Sequence, residues 1–173
     1  MKPKTTERIR ETVYVIGAGF SAGLGYPLTK SLLIDVWNRL PPAAQDQLVK
    51  VIEFHHPAFD PQRKTSFPDI EQLLTEISVN ADLFDASRPV EGSFTKRQLE
   101  EVKETLLTTI AEWFHELFEA ACHRPWLARM VDRFQSENAA IVSFNWDLIL
   151  DHLLFGDGLA PESYGLVLCP TNN

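Results

Sequence analysis

The chain has 173 residues and a mass of 19.6 kDa, enough for one domain of ordinary size and too few for two full ones. Apolar residues make up 45% and charged residues 23%, with eleven Phe and four Trp, which is the composition of a packed core and excludes a disordered tail. Sixteen basic against twenty-four acidic residues leave a net charge of -8, so a nucleic-acid backbone is repelled. Cys122 and Cys169 alone make neither a disulfide framework nor a four-ligand zinc site, and a reducing cytoplasm is the expected compartment.

A basic stretch (Lys2, Lys4, Arg8, Arg10) before the apolar run Val13 to Gly25 superficially resembles a secretory signal. Glu7 and Glu11 dilute its charge, and Gly17, Gly19, Gly23 and Gly25 interrupt the apolar core that a signal needs. No other segment approaches the roughly 20 apolar residues that span a bilayer, so no membrane partner is expected.

Val13-Tyr14-Val15-Ile16 is a short β-rich run ending in glycine, the pattern of a fully buried strand entering a tight turn. Thr29 to Leu40 carries Leu32, Leu33, Val36, Trp37 and Leu40 on one helical face and stops at Pro41-Pro42; Ala43 to Phe54 predicts another helix. Residues 55 to 67 read as a loop. Pro68 suits a first helical turn, and Ile70, Leu73, Leu74 and Ile77 follow at helical spacing. The longest helix is expected from about Thr95 to Ala121, with the stripe Leu99, Val102, Leu106, Ile110, Trp113 and Leu117. A shorter one after Pro125 carries Trp126, Leu127, Met130, Val131 and Phe134. The period then changes. Ala139 to Phe144 reads as a second buried strand ending at Asn145-Trp146-Asp147, followed by a helix from Asp147 to Phe155 that Gly156 closes.

Two strands that each end in a polar turn and open into a helix are halves of a parallel α/β sheet, whose ligands bind at the carboxyl ends of the strands. The fold class expected is therefore a partial Rossmann-like parallel sheet with a large helical insertion. Residues 11–27 hold the first strand and Gly-rich loop, 28–138 the insertion, and 139–173 the second strand, a helix and an incomplete C-terminal part of one domain. The insertion is expected to cap the site and to carry self-association, because its Trp and Phe content exceeds what two strands can cover.

Gly17-Ala18-Gly19-Phe20-Ser21-Ala22 fits G-x-G-x-x-(G/A) directly after a strand, the arrangement that aims helix amides at a pyrophosphate. The acidic ribose ligand usual about 20 residues later is absent in strand context, since Asp35 lies on a predicted helix. A purely structural strand-to-helix turn is the bland reading of these glycines. Gly19-Phe20-Ser21-Ala22-Gly23 also spells the G-x-S-x-G elbow of serine hydrolases, with Asp132 and His152 as nominal partners. Against that, only twelve residues precede the first strand, leaving no earlier strands for an oxyanion loop. Glu112-Trp113-Phe114-His115 has di-iron ligand spacing without the second copy such a site needs. His55, His56, His123 and the two cysteines lack zinc spacing, so no metal is expected.

Val15 to Pro27 (Val-Ile-Gly-Ala-Gly-Phe-Ser-Ala-Gly-Leu-Gly-Tyr-Pro), Phe67 to Leu74 (Phe-Pro-Asp-Ile-Glu-Gln-Leu-Leu) and Ile141 to Asp147 (Ile-Val-Ser-Phe-Asn-Trp-Asp), in that order, resemble the SIR2-like superfamily, and most closely the bacterial SIR2-like domains of anti-phage defence proteins. The resemblance implies an NAD site and, in the defence branch, cleavage of NAD to nicotinamide and ADP-ribose. It implies that Gly17, Ala18, Gly19 and Ser21 contact the phosphates and adjacent ribose, and that Phe20, Gly25, Pro27, Ser143 and Trp146 complete the NAD site. Asn145 matches the family's catalytic asparagine and Asp147 the aspartate near the nicotinamide carboxamide. Phe144 stands where protein deacylases of the superfamily often have glutamine, and Leu28-Thr29-Lys30 replaces their Asp-Phe-Arg. With no zinc-binding cysteine quartet, deacetylation is not expected. A non-catalytic NAD-binding module, a homo-oligomer and a defence-system partner protein are further readings that the resemblance allows.

The family also uses a histidine on a later strand. Here 28 residues follow Asn145, and the sole histidine among them, His152, sits on a predicted helix. The expectation is a partial domain that lacks this group and is weakly active or inactive alone.

Overall fold

The computed structural model describes residues 12–63, 65–86 and 94–156, without the side chains of 84–86. The basic N-terminal stretch, Cys169 and the expected C-terminal part after Gly156 lie outside the described residues. The chain is mixed α/β and mostly helical, in the order β1 (Val13–Ile16), α1 (Ala18–Ala22), α2 (Thr29–Trp37), α3 (Pro42–His55), α4 (Ile70–Ala86), α5 (Lys96–Ala121), α6 (Pro125–Ser136), β2 (Ala140–Ser143) and α7 (Ile149–Phe155). No described helix is long and apolar enough to cross a membrane. Two compact units are separable: one holds residues up to Gly25 and from Leu117 onward, the other Tyr26–Glu116.

In the helical unit, apolar stripes at three- and four-residue spacing make the core. Leu33, Val36, Leu48, Ile52, Ile70, Leu73, Ile77, Leu99 and Leu106 are almost completely buried, and α2 packs on α4. Trp37, Phe59 and Phe67 close a triangle of edge-to-face rings with centroids 4.8–5.7 Å apart. The expected helix through Leu40 stops at Trp37. Its last residues tighten into three-residue turns, with Arg39 N–H donating to the Val36 carbonyl and Leu40 N–H to that of Trp37. Pro42, and not Ala43, opens α3 at the first helical position, where its missing N–H costs nothing. Pro68 stays outside α4, because Asp69 takes the capping role: its Oδ1 accepts from Glu71 N–H at 2.9 Å, and its carbonyl accepts from Leu73 N–H. Inside the expected loop, Asp60 and Thr65 exchange backbone hydrogen bonds in an isolated antiparallel bridge.

In the other unit β1 and β2 pair in parallel, with Val13 opposite Ala140 and Ile16 opposite Ser143. Residues that face each other share a side of the sheet. Tyr14 and Ile16 turn toward the unit's interior, where Tyr14 meets Phe134 of α6 at 4.5 Å between centroids. The Tyr14 hydroxyl donates to Glu137 Oε2 at 2.7 Å, and Arg133 Nε donates to Glu137 Oε1 at 2.8 Å. That hydrogen bond first, then burial, holds the Tyr14 phenol above its ordinary value, while the same bond and Arg133 hold the Glu137 carboxyl below its own.

The expectation of fully buried strands is corrected here. Val13 is 58% exposed and Val15 68%, and Val142 on the same side is also exposed. Within this unit α6 packs on the Tyr14 side, so an all-apolar strand reads as buried while Tyr14 and Ile16 are only half-buried and Val13 and Val15 are exposed. Further along the unit, α6 packs on α7, and Leu127, Val131, Phe134, Ile149 and Leu150 are buried. Gly156, at φ +62°, ends α7 and donates its N–H to the His152 carbonyl, as the sequence predicts.

Candidate functional site

Parallel pairing brings the carboxyl ends of both strands to the same edge of the sheet, and Phe144 N–H donates to the Ile16 carbonyl at 3.0 Å where they end. Beyond that point β1 turns at Gly17 into α1, and β2 runs on into Asn145-Trp146-Asp147. Gly17 is extended (φ -128°) and caps α1 with no side chain; a Cβ on Gly17 or Gly19 would meet nothing within 4 Å, so the turn's backbone is open. Of the glycines in this turn, Gly25 is the one that needs glycine for its conformation, at φ +99°. Phe20 is half-buried and packs edge-on to Trp126 at 5.6 Å.

Ser21 is the one side chain of α1 that is buried, at 2% exposure. Its hydroxyl donates to Asp147 Oδ2 at 2.6 Å and accepts from Asn145 Nδ2 at 2.7 Å. Asp147 is itself 7% exposed, and its other oxygen accepts from Ile149 N–H at 3.3 Å. That last bond explains why the helix expected from Asp147 begins at Ile149: the Asp147 carboxylate receives an amide of the helix start from outside it. Asn145 N–H donates to Ser143 Oγ at 3.3 Å, which holds the turn after β2. Asn145 Oδ1 is buried and has no hydrogen-bond partner.

Burying a carbonyl oxygen without a donor is costly, on the order of 1–3 kcal/mol, and such atoms mark places where a ligand or an ordered water completes the bonding. The cluster therefore holds one buried acceptor without a donor and, through Ser21, a carboxylate bonded to the same amide.

The structure joins Ser21, Asn145 and Asp147, 124 and 126 positions apart in sequence, in one hydrogen-bonded group, with Ser143 beside them. Trp146, Phe144 and Leu148 are exposed around the turn. Pro27 belongs to the helical unit. The resemblance implies Ser21 at the phosphates and adjacent ribose and says nothing of its bonds to Asn145 and Asp147; the signal for them is the parallel register, which sets the two strand-end turns side by side. Of the nominal hydrolase partners, Asp132 is exposed on α6, and His152 on α7 packs edge-on to Phe118 at 4.9 Å, while the Ser21 proton goes to Asp147.

In the helical unit, His56 Nε2 lies 2.9 Å from Glu76 Oε2, and His55 Nε2 lies 2.7 Å from Asn80 Nδ2. Burial raises the Glu76 carboxyl, but hydrogen bonds from Gln72 and His56 outweigh it and leave the group below its ordinary value. Among the described residues no group of three His, Cys, Asp or Glu side chains is placed to hold a metal.

Comparison of the chain with protein-family models, with curated proteins and with solved structures returned no match.

Proposed function

We propose that the strand-end cluster is the NAD site of a SIR2-like domain with a Rossmann-like sheet, and that its chemistry is cleavage of NAD to nicotinamide and ADP-ribose. The observation that carries this reading is Asn145 Oδ1, a buried acceptor without a donor at the same sheet edge from which the open Gly17 and Gly19 turn leaves β1. A ligand rich in hydroxyls and phosphates fits that pairing. A ribose hydroxyl supplies the donor that Asn145 lacks, and backbone amides at an open glycine turn suit a pyrophosphate.

The residue types suit the reaction. Breaking the bond between ribose and nicotinamide builds positive charge on the sugar ring. A neutral amide orients the sugar without competing as a nucleophile, and the Asp147 carboxylate, fixed in a site largely closed to water, favours the developing charge electrostatically. The sequence resemblance to defence-type domains supports hydrolysis over deacylation as the outcome.

Calorimetric titration with NAD tests the binding half. Heat that saturates in the micromolar to millimolar range is expected, and silence at millimolar NAD, weaker than about -4 kcal/mol, refutes it. Nicotinamide release that disappears in Asn145→Ala tests the chemical half. Labelling of Ser21 by a fluorophosphonate would support the serine hydrolase in its place.

A further inference from the structure

We infer that Ser21 and Asp147 are positioning residues: they fix the Asn145 amide with Oδ1 toward the ligand, and do not themselves contact it. The inference rests on the proposed NAD site only for the source of the ligand hydroxyl.

Hydrogen-bond arithmetic sets the direction. A carboxylate only accepts, so the single proton between Ser21 Oγ and Asp147 Oδ2, 2.6 Å apart, belongs to Ser21. With its proton engaged, Ser21 can only accept from Asn145, and the atom of the amide that faces it at 2.7 Å must be the NH2 group. Oδ1 is then forced to the other side, where it is buried and without a partner. The chain runs one way, from Asn145 through Ser21 to Asp147, and Ile149 N–H on the second carboxylate oxygen holds the far end.

Remove the carboxylate and the polarity is lost. A free Ser21 hydroxyl can donate to Asn145 Oδ1, the amide turns over, and the site presents a donor where it had an acceptor. The ligand group opposite Asn145 is accordingly a hydroxyl or a water, and not a phosphate or carbonyl oxygen. Ser21 and Asp147, at 2% and 7% exposure, have their polar atoms turned to each other and to Asn145 or Ile149.

The full chain labelled with 15N tests this without a ligand. The Asn145 side-chain NH2 signals, assigned by their loss in Asn145→Ala, are expected to exchange with solvent more slowly than those of exposed Asn138. Equal exchange overturns the inference in the wild-type protein alone. Protection is expected to persist in Ser21→Thr, which keeps a hydroxyl, and to vanish in Ser21→Ala and Asp147→Ala.

Titrations with ADP-ribose and ADP, which differ in the terminal ribose, supply the second readout. Wild type and Ser21→Thr should favour ADP-ribose by about tenfold, the size of one added hydrogen bond. Ser21→Ala and Asp147→Ala should bring that ratio to about one with ADP affinity unchanged. A parallel loss of ADP affinity would mean that Ser21 contacts the phosphates or that the site has collapsed, and an undiminished ratio would mean that the relay does not orient Asn145. Either overturns the inference. If neither nucleotide binds the wild type, the NAD reading falls, and amide protection across the Ser21 and Asp147 variants still decides the positioning role.

Discussion

Both units bury aliphatic side chains, but the strand-bearing unit also buries polar ones. In Tyr26–Glu116 the deepest residues are aliphatic, with Val36, Ile52, Ile70 and Leu73 at 0% exposure. In the other unit, Ser21 and Asp147 are buried, the only polar or charged side chains that are so among the described residues, while Val13 and Val15 of β1 face solvent. Burying polar groups is unfavourable unless they are bonded, and leaving apolar strand residues exposed forfeits the main driving force of folding. Among the described residues the helical unit buries apolar side chains alone, whereas the strand-bearing unit holds a buried polar group beside its apolar core of Leu127, Phe134 and Ile149.

The largest effect that would sharpen the contrast is in the helical core. Leu73→Ala should cost about 2–5 kcal/mol of unfolding free energy, read from the urea midpoint, because a fully buried side chain leaves a cavity. Asp147→Ala should cost less, about 1–3 kcal/mol, by removing the acceptor of the Ser21 hydroxyl and stranding Ile149 N–H. If Asp147→Ala instead stabilised the protein, the polar cluster would be a local cost held for function alone.

A smaller effect, seen in its pH dependence, is expected at the Tyr14–Glu137 bond. Glu137 is held below its ordinary 4.5, so its contribution is present above that value and is lost as pH falls through the lowered one. Tyr14 is held above its ordinary 10.0, so its contribution is complete below 10.0 and is lost as pH rises through the raised value. Thermal melts of Tyr14→Phe across pH should therefore lose the alkaline limb and show a shallower acid limb than wild type. Unchanged limbs would mean that this bond does not tie β1 to α6.

The smallest effect breaks or keeps the contrast most directly. Val15→Thr, on the bare side of β1, should move the urea midpoint by no more than about 0.5 kcal/mol. A loss comparable to that of Leu73→Ala would show that this side of the sheet is covered in solution and that both units are organised for packing.

Much of this was legible in the chain itself. Apolar spacing at three and four residues located α2 to α6 within a few positions, because a helix that buries one face must repeat that way whatever it packs against. The two β-rich runs that end in Gly17 and Asn145 marked the two parallel strands and, with them, the candidate site, since strand ends followed by polar turns are where parallel sheets bind ligands. Helix starts were less legible at Pro68 and Asp147. Which carboxylate receives a helix-start amide, Asp69 for α4 and Asp147 for α7, is a choice between neighbouring residues that spacing does not resolve.

What only the tertiary structure decided was pairing. Ser21 and Asn145 are 124 residues apart, and nothing local to either turn says that a hydroxyl from one will accept from the amide of the other. That follows from the register of β1 on β2, which depends on the whole chain between them. Exposure of Val13 and Val15 was likewise undetermined by their sequence, because an apolar run states that a strand can be buried on both faces, and only the surrounding elements settle whether it is.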